Sequence, residues 1–141
     1  MRVKKILSYV KLKVKEYPKI DSIIEGLELS KETQSNRDIN SFIKSKNKIN
    51  RTTEIQAVKN INIDKKIEEY RKWQKLIQDE LKELKIKDND VYKIVFFKFT
   101  GYSFDKIKDE LYLGERTVIN LYNDFIIEIT LLAIKNGLIH I

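Results

Sequence analysis

Apolar residues recur along this chain at spacings of three and four, the period of a helix with one buried face. Val3, Leu7, Val10, Val14 and Tyr17 form the first such stripe, with lysines on the other faces. Pro18 closes that helix, because proline lacks an N–H and disfavours helical geometry in the residue before it. Ile20, Ile23, Ile24 and Leu27 make a second, shorter face. The pattern then thins. Lys31 to Asp38 holds no apolar residue and neither does Lys44 to Lys48, so 33–52 reads as a flexible linker with room for one short helix. Thr53-Glu54 reads as a fresh helix start. Asp64 reads as the N-cap of a long central helix whose face carries Ile67, Tyr70, Trp73, Ile77, Leu81 and Leu84. Its spacing also resembles a heptad, so a core-facing helix and a short coiled-coil contact are both open. Asp88-Asn89-Asp90 reads as a turn and cap, and Asp90 to Thr100 as a helix ended by Gly101. The run Ile94 to Phe99 would also suit a strand, but the helices on both sides favour helix.

The most specific stretch is Ser103 to Asn123. Ser103 caps a short helix with Phe104, Ile107 and Leu111 on one face, and the chain turns at Tyr112-Leu113-Gly114, with Leu113 as the apolar turn residue. A second helix follows, with Thr117-Val118 and Leu121-Tyr122 facing back to the first. Two short amphipathic helices around a tight turn are the sequence logic of a helix-turn-helix, over about 103–124. The outward positions of the second helix are Glu115, Arg116, Ile119, Asn120 and Asn123. Arg can hydrogen-bond guanine twice, Asn can do the same with adenine, and Ile can touch a thymine methyl. The plain alternative is a helical hairpin with a solvated polar face. The chain therefore reads as all-α, with an N-terminal helical segment at 1–32, a linker at 33–52 and a helical domain at 53–141.

Composition removes several function classes. There is no Cys and a single His, His140, among the 141 residues, so disulfides, thiolate chemistry, His triads and multi-His metal sites lack their parts. Asp105 and Asp109 stand one helical turn apart without a further ligand, and Asp88 and Asp90 lack the Glu of a calcium loop. The reading is a protein that is not an enzyme and needs no metal or other cofactor. No apolar run reaches about 18 residues, so no membrane helix is expected. Lys11, Lys13 and Lys15 break up the start of the chain as a signal peptide. A cytoplasmic location is expected.

Charge sharpens and also complicates the DNA reading. With 28 Lys+Arg against 21 Asp+Glu the net charge is +7, which suits a polyanion partner, although Lys-, Ile- and Asn-rich chains also arise from AT-rich codons. The charge is uneven, since 101–141 carries four basic and six acidic side chains while 1–100 carries 24 and 15. Phosphate neutralisation dominates DNA affinity, so it falls to Lys93, Lys98, Lys106, Lys108 and the basic N-terminal helix.

Ser103 to Asn123 resembles the helix-turn-helix of the fourth region of sigma-70-type factors. The longer layout resembles the RinA/ArpU group of phage late-gene transcription regulators. The points of similarity are Glu16-Tyr17-Pro18 before an Ile/Leu segment, a polar gap, Thr52 to Val58, a long helix, Gly101-Tyr102-Ser103, Glu115-Arg116-Thr117-Val118 and a final apolar helix. The resemblance implies a transcriptional activator of phage or prophage late genes in a bacterial host cell, with double-stranded DNA and RNA polymerase as partners. It carries base recognition onto Glu115, Arg116, Thr117, Asn120 and Asn123. Two departures are Gly114, where a capping Ser or Thr is usual, and Ile119-Asn120, where basic residues are usual.

The final helix is apolar nearly all round, from Phe125 to Ile139. A helix of that kind is buried all round. It is read as a subunit interface of a homodimer or higher oligomer through Phe125, Ile129 and Leu132, against the alternative of a central core helix. Two other roles suit the same features: a small terminase-like DNA-packaging protein, and a polymerase-binding adaptor that does not read bases.

Overall fold

The computed structural model describes the backbone of residues 2–42 and 46–140 and the side chains of 2–31 and 54–140. The protein is all-α. Its helices are α1 (Arg2–Glu16), α2 (Ile20–Phe42), α3 (Lys46–Lys87), α4 (Asn89–Phe99), α5 (Phe104–Leu111) and α6 (Glu115–Lys135), with a short 3-10 turn at Tyr17–Lys19 joining α1 to α2.

The described chain divides into two compact units, Met1–Pro18 with Lys72–Ile141, and Lys19–Arg71. These boundaries cut across the linear division 1–32, 33–52 and 53–141, because α1 packs on α6, far from it in sequence. The linker expected at 33–52 has side chains that lie outside the described residues. Its backbone belongs to the end of α2 and the start of α3, and residues 43–45 are themselves outside the description.

Two expected helix starts fall inside α3. Neither Thr53-Glu54 nor Asp64 begins a helix, since no Pro or Gly stands between Lys46 and Lys87 to end one. Asp64 is exposed, and its carboxylate accepts from the Lys31 ammonium at 3.1 Å instead of capping. In the Lys19–Arg71 unit a second pair joins Arg71 to Asp21 at 2.9 Å. The partner's number falls as the α2 number rises, so α2 and α3 run antiparallel there. Both pairs are exposed, and each contributes at most about 1 kcal/mol.

The larger unit buries one main cluster. Val10 and Val14 of α1 meet Trp73 and Ile77 of α3, Val91 and Val95 of α4, and Phe125, Ile126, Ile129 and Ala133 of α6. The first apolar stripe of the sequence thus finds its partner at the far end of the chain. Tyr9 stands edge-on to Trp73 with ring centres 6.0 Å apart. The helix α4 takes the run that also suited a strand. Its start is fixed by Asp88, whose carboxylate accepts the Val91 N–H at 3.4 Å. Its end is fixed by Gly101 at φ +91, a backbone angle that suits glycine.

By length and composition α6 is apolar enough to cross a membrane, a property the count of uninterrupted apolar residues missed because Asp124 and Glu128 interrupt the run. In this fold it packs against α1, α4 and α5. It buries Val118, Phe125, Ile126, Ile129, Thr130 and Ala133.

Candidate nucleic-acid interface

Local chemistry shapes the segment from α4 to the start of α6. The Ser103 hydroxyl accepts the Lys106 N–H at 3.2 Å and opens α5. The helix ends at Tyr112, which adopts left-handed geometry (φ 56, ψ 36) and donates its N–H to the Lys108 carbonyl. Leu113 turns inward, and Gly114 is the extended N-cap of α6, with no side chain to cap it. Ile94, Ile107 and Val118, one from each of α4, α5 and α6, are buried together. Phe97, Tyr102, Phe104, Leu111, Leu113, Leu121 and Tyr122 pack around them. A short helix, a tight turn with one inward apolar residue and a second helix give the helix-turn-helix arrangement expected from Ser103 to Asn123. The second helix does not end there: it runs on without a break through the apolar segment read as a separate final helix, so that α6 is one helix of 21 residues. A third helix, α4, supports it from behind.

The expected reading residues gather at the start of α6, but not all equally. Glu115, Arg116, Thr117 and Asn120 are exposed, whereas Asn123 and Ile119 are half-buried. Thr117 therefore does not face back to α5 alongside Val118, as its spacing predicts, but stands outward beside Arg116. The reason is rotation: adjacent helix positions lie about 100° apart, so only Val118 of the two can point at Ile107. Arg116 has no acidic partner among the described residues.

Among the expected phosphate-binding lysines, Lys93 is exposed. The other three are already engaged. Lys98 Nζ lies 4.3 Å from the centre of the Phe104 ring, and Lys106 Nζ lies 4.0 Å from that of Tyr102. Lys108 pairs with Asp105 at 3.0 Å. The hydrogen bond to Asp105 raises the Lys108 ammonium above its ordinary pKa and keeps it charged. A cation over an aromatic face gains only about 0.5–1 kcal/mol at exposed sites, so Lys98 and Lys106 keep N–H groups for a phosphate.

Two of the three residues expected at a subunit interface stand elsewhere. Phe125 and Ile129 are buried in the chain's own main cluster, because α1 covers the side of α6 that the sequence left without a partner. Leu132 is half-buried and lines a groove with Leu76, Glu80 and Leu138. In that groove burial first, then the nearby Glu83 and Glu128, push the Glu80 carboxyl above its ordinary pKa, with Lys87 opposing.

Sequence reasoning missed Tyr112. It is 95% exposed and is the one non-glycine residue at positive φ among those described. An aromatic placed where a turn favours glycine was the signal available. No group of three or more His, Cys, Asp or Glu side chains is arranged to hold a metal among the described residues. Tyr122 is pushed above its ordinary pKa by burial, so it stays a neutral packing residue.

The chain matches no protein-family model, no curated protein and no solved structure.

Proposed function

We propose that this chain is a DNA-binding transcription regulator that reads duplex DNA with the first turns of α6. The observation that carries this reading is the α4–α5–α6 arrangement. It is packed around Ile94, Ile107 and Val118, and it leaves Arg116, Thr117 and Asn120 exposed at the start of its last helix. In a helix-turn-helix that end of the second helix enters the major groove. Arg116 would donate two hydrogen bonds to a guanine, Asn120 would pair with an adenine edge, and Glu115 would accept from a cytosine amino group. Lys93, Lys98, Lys106 and Lys108 would approach phosphates on either side. On the resemblance noted above, the targets are late genes of phage or prophage. The chain activates them in the bacterial cytoplasm as a homodimer or higher oligomer, with RNA polymerase as a second partner.

The net −2 of residues 101–141 favours one other reading, an adaptor that binds polymerase without reading bases. Selection from pooled random duplexes separates the two. The regulator yields an enriched motif, and Arg116→Ala stays folded while losing about 1–3 kcal/mol of preference at one base of it. No enriched motif, together with co-purification of RNA polymerase, selects the adaptor. Unchanged specificity in Arg116→Ala removes that residue from base reading.

A further inference from the structure

We infer that the outward face of α1 is a separate binding surface for the phosphate backbone of nucleic acid, centred on Lys4, Lys11 and Lys15. These positions are seven and four residues apart. On a helix they fall within about 40° of one another, in a row about 16 Å long, to one side of the stripe that holds Val10 and Val14. All three are exposed, as are the flanking Arg2 and Lys5, and none of the five has an acidic partner among the described residues. The single acid of α1 is Glu16, which lies 3.8 Å from Lys13 and so is already matched within the helix. The row is therefore uncompensated positive charge on a rigid element.

The rest of the surface makes this row more telling. Residues 101–141 are net negative. Three of the four lysines nearest the helix-turn-helix are held by Phe104, Tyr102 and Asp105. Affinity for a polyanion depends on cations that can displace counterions, and α1 carries a row of exposed ones with no acid beside them. A basic helix can also lie on an anionic membrane, but that needs a continuous apolar face to insert. Most of the apolar face of α1 is already taken: Val10 and Val14 are buried, and Ile6, Leu7 and Tyr17 pack against the same cluster, while the exposed Val3 and Leu12 lie on opposite sides of the helix and make no continuous face. What α1 still offers is charge, which fits a phosphate backbone. This surface supplies affinity without sequence preference, and it stands whether or not α6 reads bases.

The test uses the full chain with Lys4, Lys11 and Lys15 all changed to Gln, binding a random-sequence duplex across a range of salt concentrations. A control variant carries Gln at Lys59, Lys65 and Lys66 and removes the same charge elsewhere. The expected result is a log–log salt slope flatter by about 2–3 in the α1 variant, since each lost phosphate contact takes away about 0.9. Affinity should fall by a similar factor for every sequence tested, with unchanged thermal stability, and the control should behave as the parent. An equal fall in both variants, or no fall in the α1 variant, overturns the inference. So does parent binding to anionic lipid vesicles that the α1 variant loses while its duplex binding is intact. Parent binding that is unselective, yet weakened through the α1 lysines, sustains this surface and sinks base reading by α6. A parent that binds no duplex at any salt concentration overturns both.

Discussion

Two buried clusters lie in the unit formed by Met1–Pro18 and Lys72–Ile141, and they are assembled in opposite ways. The small one joins Ile94, Ile107 and Val118 from three consecutive elements, each set by a local device: Asp88 at the start of α4, Ser103 at the start of α5, Tyr112 and Gly114 at the turn. The large one joins α1 to α3, α4 and the second half of α6 across most of the chain. The helix α6 belongs to both, through Val118 near its start and through Phe125, Ile126, Ile129 and Ala133 further on. That double duty accounts for the buried apolar positions of α6, while Ile127 and Leu131 remain exposed. It also separates tasks: the end of α6 anchored by the large cluster is held fast, and the end resting on the small cluster presents Arg116, Thr117 and Asn120.

Trp73→Ala should have the largest effect on this comparison. The side chain is fully buried in the large cluster, and its loss should cost about 3–5 kcal/mol in denaturant unfolding. A cost under about 1 kcal/mol would mean that α1 and α6 do not close over it. Ile107→Ala comes next, at about 2–5 kcal/mol. Here the distribution matters more than the total. Amide exchange should quicken most in α5 and the turn, and less in α1 and the last turns of α6. A uniform rise would show that the two clusters open as one unit.

Tyr112→Gly should have the smallest effect and the opposite sign. A left-handed backbone costs a residue with a Cβ roughly 1–2 kcal/mol, part of which glycine gives back through a freer unfolded chain. The ring is 95% exposed and contributes little packing to offset this. A net gain of about 0.5–1 kcal/mol in thermal unfolding is expected. A loss would reveal that the ring does hold the turn in place.

The helix-turn-helix was the most legible part of the chain because its information is local. Ser103 and Asp88 cap, Gly101 ends a helix, and Leu113 fills a turn, each for reasons confined to its own neighbours. Where the local signal was ambiguous the reading slipped. Asp64 and Thr53-Glu54 are good cap residues, but a cap residue only permits a start, and α3 runs through both. The reading face was legible to within one helix position. Thr117 and Asn123 exchanged their expected exposures in part, because spacing alone fixes rotation about α6 only to about the angle between adjacent residues.

What the sequence determined by itself is the helical class, the caps and turn between α4 and α6, the exposed Arg116 and Asn120, and the basic character of α1. These follow from periodicity, capping and charge, which act over a turn or two of chain. Only the tertiary structure decided that α1 lies on α6, that Phe125 and Ile129 are interior, and that Lys98, Lys106 and Lys108 are already engaged while Lys4, Lys11 and Lys15 are free. Burial is a property of which surfaces meet, and surfaces far apart in sequence carry no mark of their partner until the chain has closed on itself.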